Sequence, residues 1–315
     1  MSQPHPRERL QNTRRMPSSH ELLYPAAIQR IDRLELRARH IVEGFLSGRH
    51  RSPYFGQSVE FLQHREYVPG DDLRHVDWKV WARQDRYYLK QYEEDTNMRC
   101  TLLVDVSGSM RYGSGPLSKY EYGATIAASL AYLLIKQQDA VGCITFDETI
   151  RRTAPVRSRR NHLESIVQTL VAEQPRDKTQ LLPILREVAE ANPRRGMMIV
   201  ISDFLADVDS TLKGLKMLRR RGHEVLVFHV LDDDEIDFPF EGPTRFEGLE
   251  SALHVACNPR ALRAGYLDAL QAFLDAMRRA CASQVADYAL VRTSDPFDVV
   301  LASYLSNRLG MHHRN

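Results

Sequence analysis

Four short apolar runs, Thr101–Val104, Ala140–Phe146, Met197–Ser202 and Glu224–Leu231, recur from Thr101 onward with helix-length segments between them. A run this short, without polar alternation, reads as a strand buried on both faces. Tyr120–Gln137, Arg159–Glu173, Gln180–Ala191 and Asp207–Arg221 read as helices. Thr149–Val156 is a more polar strand suited to a sheet edge. Pro259–Ser283 is a long helix with an Ala, Leu and Phe face, and Ala286–Arg292 closes the sheet. This alternation predicts an α/β fold of three layers, a mostly parallel sheet flanked by helices. Such sheets bind ligands in the loops at the carboxyl ends of their strands. The loops after Val104, Ile201 and Val230 are therefore where function is sought.

The front of the chain reads differently. Residues 21–47 carry Leu22, Leu23, Ile28, Ile31, Leu34, Leu36, Ile41 and Val42 at roughly helical spacing. Residues 48–96 are aromatic-rich and broken by turns at Ser52-Pro53, Phe55-Gly56 and Pro69-Gly70, a small mixed segment of short strands and one short helix. Met1 to His20 is polar and reads as a disordered tail without the apolar centre of a secretory signal. The expected division is a tail at 1–20, a helix and mixed segment at 21–99, and the α/β domain at 100–310.

Charge and composition narrow the function classes. The formal net charge is only +2, so no global field points to nucleic acid. Arginines cluster near Arg157–Arg160 and at Arg219–Arg221, and solvated surfaces account for both. No apolar stretch approaches the ~20 residues that span a bilayer, and a cytoplasmic protein is expected. The cysteines, Cys100, Cys143, Cys257 and Cys281, form no C-x-x-C pair. Reduced thiols are expected, buried at Cys100 and Cys143.

The loop after the first buried strand reads Asp105-Val106-Ser107-Gly108-Ser109-Met110. Alternation puts the oxygens of Asp105, Ser107 and Ser109 on one side, and Gly108 permits the bend. Carboxylate and hydroxyl oxygens are hard ligands, suited to Mg²⁺, Mn²⁺ or Ca²⁺. Three ligands do not fill an octahedron. Asp203 follows the strand Met197–Ser202 and so reaches the same sheet edge. The loop Asp177-Lys178-Thr179 offers the Thr179 hydroxyl, while Thr145 and Thr169 are weaker candidates inside a strand and a helix. One position is left for water or an incoming carboxylate from a partner.

The pattern Asp-x-Ser-x-Ser, with a distant Thr and a distant Asp, resembles the metal-ion-dependent adhesion site of von Willebrand factor A domains. The resemblance implies a Rossmann-like three-layer fold with Asp105, Ser107, Ser109, Thr179 and Asp203 as metal ligands, the hydroxyls direct and the aspartates partly through water. Where the family often has Gly-Gly-Thr, this chain has Asp177-Lys178-Thr179. The segment from Arg65-Glu66-Tyr67 through Pro69-Gly70-Asp71-Asp72-Leu73-Arg74-His75-Val76-Asp77-Trp78-Lys79 to Ala82-Arg83 resembles the hallmark of the bacterial domain of unknown function 58 family. So do Gly56 with Glu60-Phe61, and Arg292-Thr293-Ser294-Asp295-Pro296. Members commonly accompany MoxR-type AAA+ ATPases, so the resemblance implies an adaptor for such an ATPase or its client in assembling protein complexes.

Other readings stay open. Asp-x-Ser-x-Ser is also an ordinary polar turn. A metal-dependent hydrolase using the same cation is the alternative to a binding module. Ser107 stands where an Asp-x-Asp phosphotransfer site after this strand would need its second carboxylate, and a Walker loop and a Gly-x-Ser-x-Gly elbow are absent, so no enzyme is expected. A structural scaffold, with the Lys178 ammonium in the cation's place, is the third possibility. Asp232-Asp233-Asp234-Glu235 reads as a solvated loop, and His254 with Cys257 as core or strand residues.

Overall fold

The computed structural model describes residues 25–48, 61–66, 88–92, 98–159, 161–176, 178–205, 207–250, 254–302 and 304. The N-terminal tail, the motif residues from Tyr67 to Arg83, and Arg160 and Asp177 lie outside the described residues.

Helix α1 (Pro25–Gly48) is followed by an antiparallel pair, β1 (Phe61–Glu66) and β2 (Tyr88–Tyr92). The main sheet takes its strands from β3 (Arg99–Asp105), β4 (Ala140–Phe146), β5 (Ile150–Arg157), β6 (Met197–Ser202), β7 (Glu224–Leu231) and β10 (Asp287–Arg292). Their order across the sheet is β10-β7-β6-β3-β4-β5. All neighbours are parallel except β4 and β5, so the polar strand does lie antiparallel at an edge. Helices α2 (Lys119–Lys136), α3 (His162–Val171), α4 (Leu181–Ala191), α5 (Val208–Arg220) and α7 (Pro259–Ser283) connect or flank the strands. A one-turn helix α6 (Asp233–Asp237) and a hairpin, β8 (Thr244–Glu247) with β9 (His254–Cys257), stand between β7 and α7.

Strand alternation divides the core in two. Leu102, Val104, Cys143, Ile199, Ile201 and Phe228 pack with α1, α2 and α3. Leu103, Ile144, Phe146, Met198, Val200 and Val227 pack with α4, α5 and α7. Successive residues of a central strand face opposite layers, so β3 and β6 are apolar on both faces, as their unbroken runs require. The expected three-layer, mostly parallel α/β fold is the one that forms. Helix α1 contributes buried Ala38, Val42 and Phe45 to the first layer. Cys100 and Cys143 are buried and lie outside any disulfide. Gly196 opens β6 where a Cβ would lie 2.5 Å from the Arg99 carbonyl oxygen. Only glycine lets β6 approach β3 this closely.

The chain runs from β3 outward to β4 and β5, then returns to β6 on the other side of β3. The order reverses between β3 and β6, and a crevice opens beyond their carboxyl ends at such a reversal.

Candidate metal centre

Asp105 is the last residue of β3 and is wholly buried. The Ser107 backbone N–H donates to its Oδ1 at 2.8 Å, closing an Asx turn that curls the loop back over the strand end. The next residues form a single 3-10 turn, Gly108–Arg111. Ser107 Oγ and Ser109 Oγ come to 3.1 Å of each other. The alternating side chains therefore do share one side.

The loop before α4 is tied to this turn by its backbone. Arg176 N–H donates to the Val106 carbonyl at 2.9 Å, and Gln180 N–H to the Asp147 carbonyl at 3.4 Å. Between them Thr179 Oγ1 donates to Asp105, 3.0 Å from Oδ1 and 3.1 Å from Oδ2. Thr145 is instead buried within β4, and Thr169 donates to the Ser165 carbonyl of its own helix. Of the three threonines, Thr179 is the one that reaches Asp105.

The end of β6 supplies the opposite wall. Val104 and Ile201 are register partners, so Ser202 stands beside Asp105, and its hydroxyl donates to Oδ2 at 2.6 Å. Phe204 N–H then donates to Ser202 Oγ, and Leu205 N–H to Asp203 Oδ1. These bonds wind the chain tightly enough that Phe204 adopts φ +50°. A bulky residue there stores strain, held here by its burial. The result fixes Asp203, also buried, near Asp105.

Two buried carboxylates side by side need positive charge. Lys119, the first residue of α2, supplies part of it. Ser118 caps the helix, its hydroxyl accepting from Glu121 N–H while Glu121 returns a bond to the Ser118 N–H. The Lys119 ammonium runs inward, 2.8 Å from Asp203 Oδ2 and 2.6 Å from Glu235 Oε1. Burial works against the ammonium's charge, but Asp203 and Glu235 outweigh it and hold its pKa above the usual lysine value. Among the described residues Asp105 has no such partner. Burial first, then the Asp203 charge, push its pKa up to about 7, against the hydrogen bonds from Ser202 and Ser107.

That uncompensated carboxylate is the observation on which a cation fits. Among the described residues no cluster of three or more His, Cys, Asp or Glu side chains is arranged to hold a metal ion. The donor set is instead two carboxylates with the hydroxyls of Ser107, Ser109 and Thr179, the mix that Mg²⁺, Mn²⁺ or Ca²⁺ accepts.

Two expectations are corrected. Lys178 is exposed, and the ammonium at the site belongs to Lys119. The acidic run at 232–235 is not a solvated loop. Asp232 is buried, caps α6 and accepts bonds from Ser114 and Thr293, while Glu235 bonds back to the Asp232 N–H. His254 and Cys257 lie in β9 outside the buried core, far in role from any metal set. Ser202, Lys119 and Glu250 were not picked out by sequence, and Glu235 was read only as part of a solvated loop. Only Ser202 carried a local signal, its place directly before Asp203. Glu250 accepts from the Ser109 N–H at 3.3 Å.

A family model described as "Protein of unknown function DUF58" matches residues 63–273. Uncharacterized proteins of Mycobacterium tuberculosis and Mycobacterium bovis are 29% identical over 224 residues, 70% of this chain and 70% of each relative. The conserved hypothetical protein BatB from Bacteroides thetaiotaomicron is 18% identical, with a TM-score of 0.42 over 66% of this chain and 97% of its own. The SpRpn10 VWA domain is 13% identical, with a TM-score of 0.38 over 65% of this chain and 94% of its own.

Proposed function

Because the chain belongs to the family described as protein of unknown function DUF58, we propose that it is a metal-dependent protein-interaction module rather than an enzyme. Ser107, Ser109 and Thr179 would hold a divalent cation, most simply Mg²⁺, with Asp105 and Asp203 balancing its charge. When bound, the cation offers a Lewis-acidic position to an acidic side chain of a partner protein. The observation that carries the reading is Asp105, a buried carboxylate ringed by hydroxyls at the switch point and lacking a cation of its own.

The chain's own residues have defined tasks. Ser202 and Thr179 orient the Asp105 carboxylate, and the Ser107 N–H fixes which oxygen faces the loop. Lys119 holds Asp203 in place and neutralises one of the two charges. The ammonium is shared with Glu235, so these groups would leave a bound cation only partly neutralised and electrophilic toward an incoming carboxylate. The side chains around Asp105 are engaged with one another, an arrangement suited to gripping and not to activating water.

The partner we propose is a MoxR-type AAA+ ATPase or its client, on the family resemblance set out above. Titration of the protein with Mn²⁺ tests the site, with saturable binding expected for wild type and none for Asp105→Ala. A purified MoxR-type ATPase should be retained by wild type in Mg²⁺ and released by chelator or by Asp105→Ala. Equal metal uptake by Asp105→Ala would overturn the site. Retention indifferent to metal would overturn the mechanism. Among the described residues no helix is long and apolar enough to cross a membrane.

A further inference from the structure

The β8–β9 hairpin brings its own carboxylate to the metal loop. Thr244 pairs with Cys257 and Glu247 with His254, so Glu250 falls at the hairpin tip. The body of the hairpin is anchored on an aromatic cluster. Phe246 stacks on Phe238, which stacks on Tyr266, and Phe240 meets Phe238 and Phe246 edge-on. Tyr266 in turn donates to the Glu235 carbonyl at 2.7 Å. Beyond this aromatic base, Glu250 Oε1 accepts from the Ser109 N–H at 3.3 Å, across 141 residues of chain.

Ser109 contributes its hydroxyl to the donor ring and its amide to Glu250. Among the described residues the carboxylate is thus held beside the ring by one long hydrogen bond and no ion pair. It belongs to the same chemical class as the partner side chain proposed above. A hydrogen bond of this length, on a half-buried group, exchanges readily. We propose that Glu250 is the built-in occupant of the position that a partner's carboxylate takes, and that its carboxylate must leave the Ser109 N–H before a partner engages. The inference rests on the metal-and-carboxylate reading of the site. Its consequence is a competitor in cis: apparent partner affinity is reduced by the fraction of molecules in which Glu250 is seated.

The test uses the full chain, Mn²⁺ as the metal probe, and a capped Gly-Glu-Gly peptide as the carboxylate probe. Glu250→Gln keeps the size of the side chain and removes its charge. Glu247→Gln, on the same hairpin but exposed and paired with Arg245, controls for loss of any nearby negative charge. The Glu250→Gln protein should show one more rapidly exchanging water on Mn²⁺ by proton relaxation. It should also take up the peptide about tenfold more tightly than wild type, as expected when a competitor seated in about nine molecules of ten is removed. Glu247→Gln should match wild type in both. Equal water counts and equal peptide affinities in wild type and Glu250→Gln, with Mn²⁺ bound by both, would overturn this inference alone. Failure of both proteins to bind Mn²⁺ would overturn the metal reading and this inference with it.

Discussion

Lys119 Nζ lies 2.8 Å from Asp203 Oδ2 with neither side chain open to solvent, and the same ammonium reaches Glu235 Oε1 at 2.6 Å. One residue of α2 thereby ties the loop after β6 to the turn after β7. Its removal leaves the buried Asp203 carboxylate and the largely buried Glu235 carboxylate without the ammonium between them. Lys119→Met should cost about 3–5 kcal/mol of stability, read from urea unfolding. Adding Asp203→Asn should restore part of the loss, so the double variant will be less destabilised than the sum of the singles. Additive losses would show that the pair is not coupled.

Asp105 carries a charge that the fold does not compensate. Asparagine has the same shape without the charge, so Asp105→Asn should melt higher than wild type at pH 8 in the presence of chelator. Wild type should then gain thermal stability on adding Mg²⁺ or Mn²⁺, and the variant should not. A variant less stable than wild type in chelator would contradict the argument from uncompensated charge.

Thr179 and Thr145 predict opposite results for the same substitution. Thr179→Val removes the hydroxyl that donates to Asp105. It should cost about 1 kcal/mol and weaken Mn²⁺ binding in a titration. The buried Thr145 hydroxyl has no hydrogen-bond partner among the described residues, so Thr145→Val should be neutral or stabilising and leave Mn²⁺ affinity unchanged. Similar metal affinities for the two variants would remove Thr179 from the ligand set.

His229 sets a pH dependence. It is buried in β7 with Phe204, Phe273 and Tyr288 edge-on around it, and its Nδ1 lies 2.8 Å from the Tyr288 hydroxyl. Burial is the main cause that takes its pKa from 6.5 down to about 4. A folded-state pKa below the unfolded one means that the unfolded chain binds the extra proton first. Stability from this group is therefore present above pH 6.5 and is lost as pH falls toward 4, by roughly 3 kcal/mol in all. Urea unfolding at pH 7 and pH 4.5 should show a smaller acid loss in His229→Gln than in wild type. Parallel losses would assign the acid sensitivity elsewhere.

What could be read in advance followed the range of the interactions involved. Asp105, Ser107 and Ser109 are near neighbours in sequence, so spacing alone placed their oxygens together. Asp203 was legible because unbroken apolar runs revealed β3 and β6, and parallel strands end on the same edge. Thr179 was reachable through the loop before α4, although the backbone bonds that aim it, from Arg176 and Gln180, have no sequence signature. Lys119 was hidden. A lysine at a helix start ordinarily points to solvent, and it turns inward here only because Asp203 and Glu235 arrive from distant strands. Glu235 was hidden for the converse reason, since four acidic residues in a row look like a solvated loop until α6 caps itself with Asp232. The β8–β9 hairpin was not anticipated, because its short polar strands lack an apolar run.

The separations within this site have a consequence for the newly made chain. Asp105 meets Thr179 across 74 residues, Lys119 meets Glu235 across 116, and Ser109 meets Glu250 across 141. Contacts closed over such distances form late, after the local helices and hairpins. A chain emerging from the ribosome would display Asp105, Ser107 and Ser109 long before β6 and α6 exist to surround them. The centre is therefore competent only once β7 and the turn beyond it have docked. A protein that recognised partners through it would, by construction, never do so while half made.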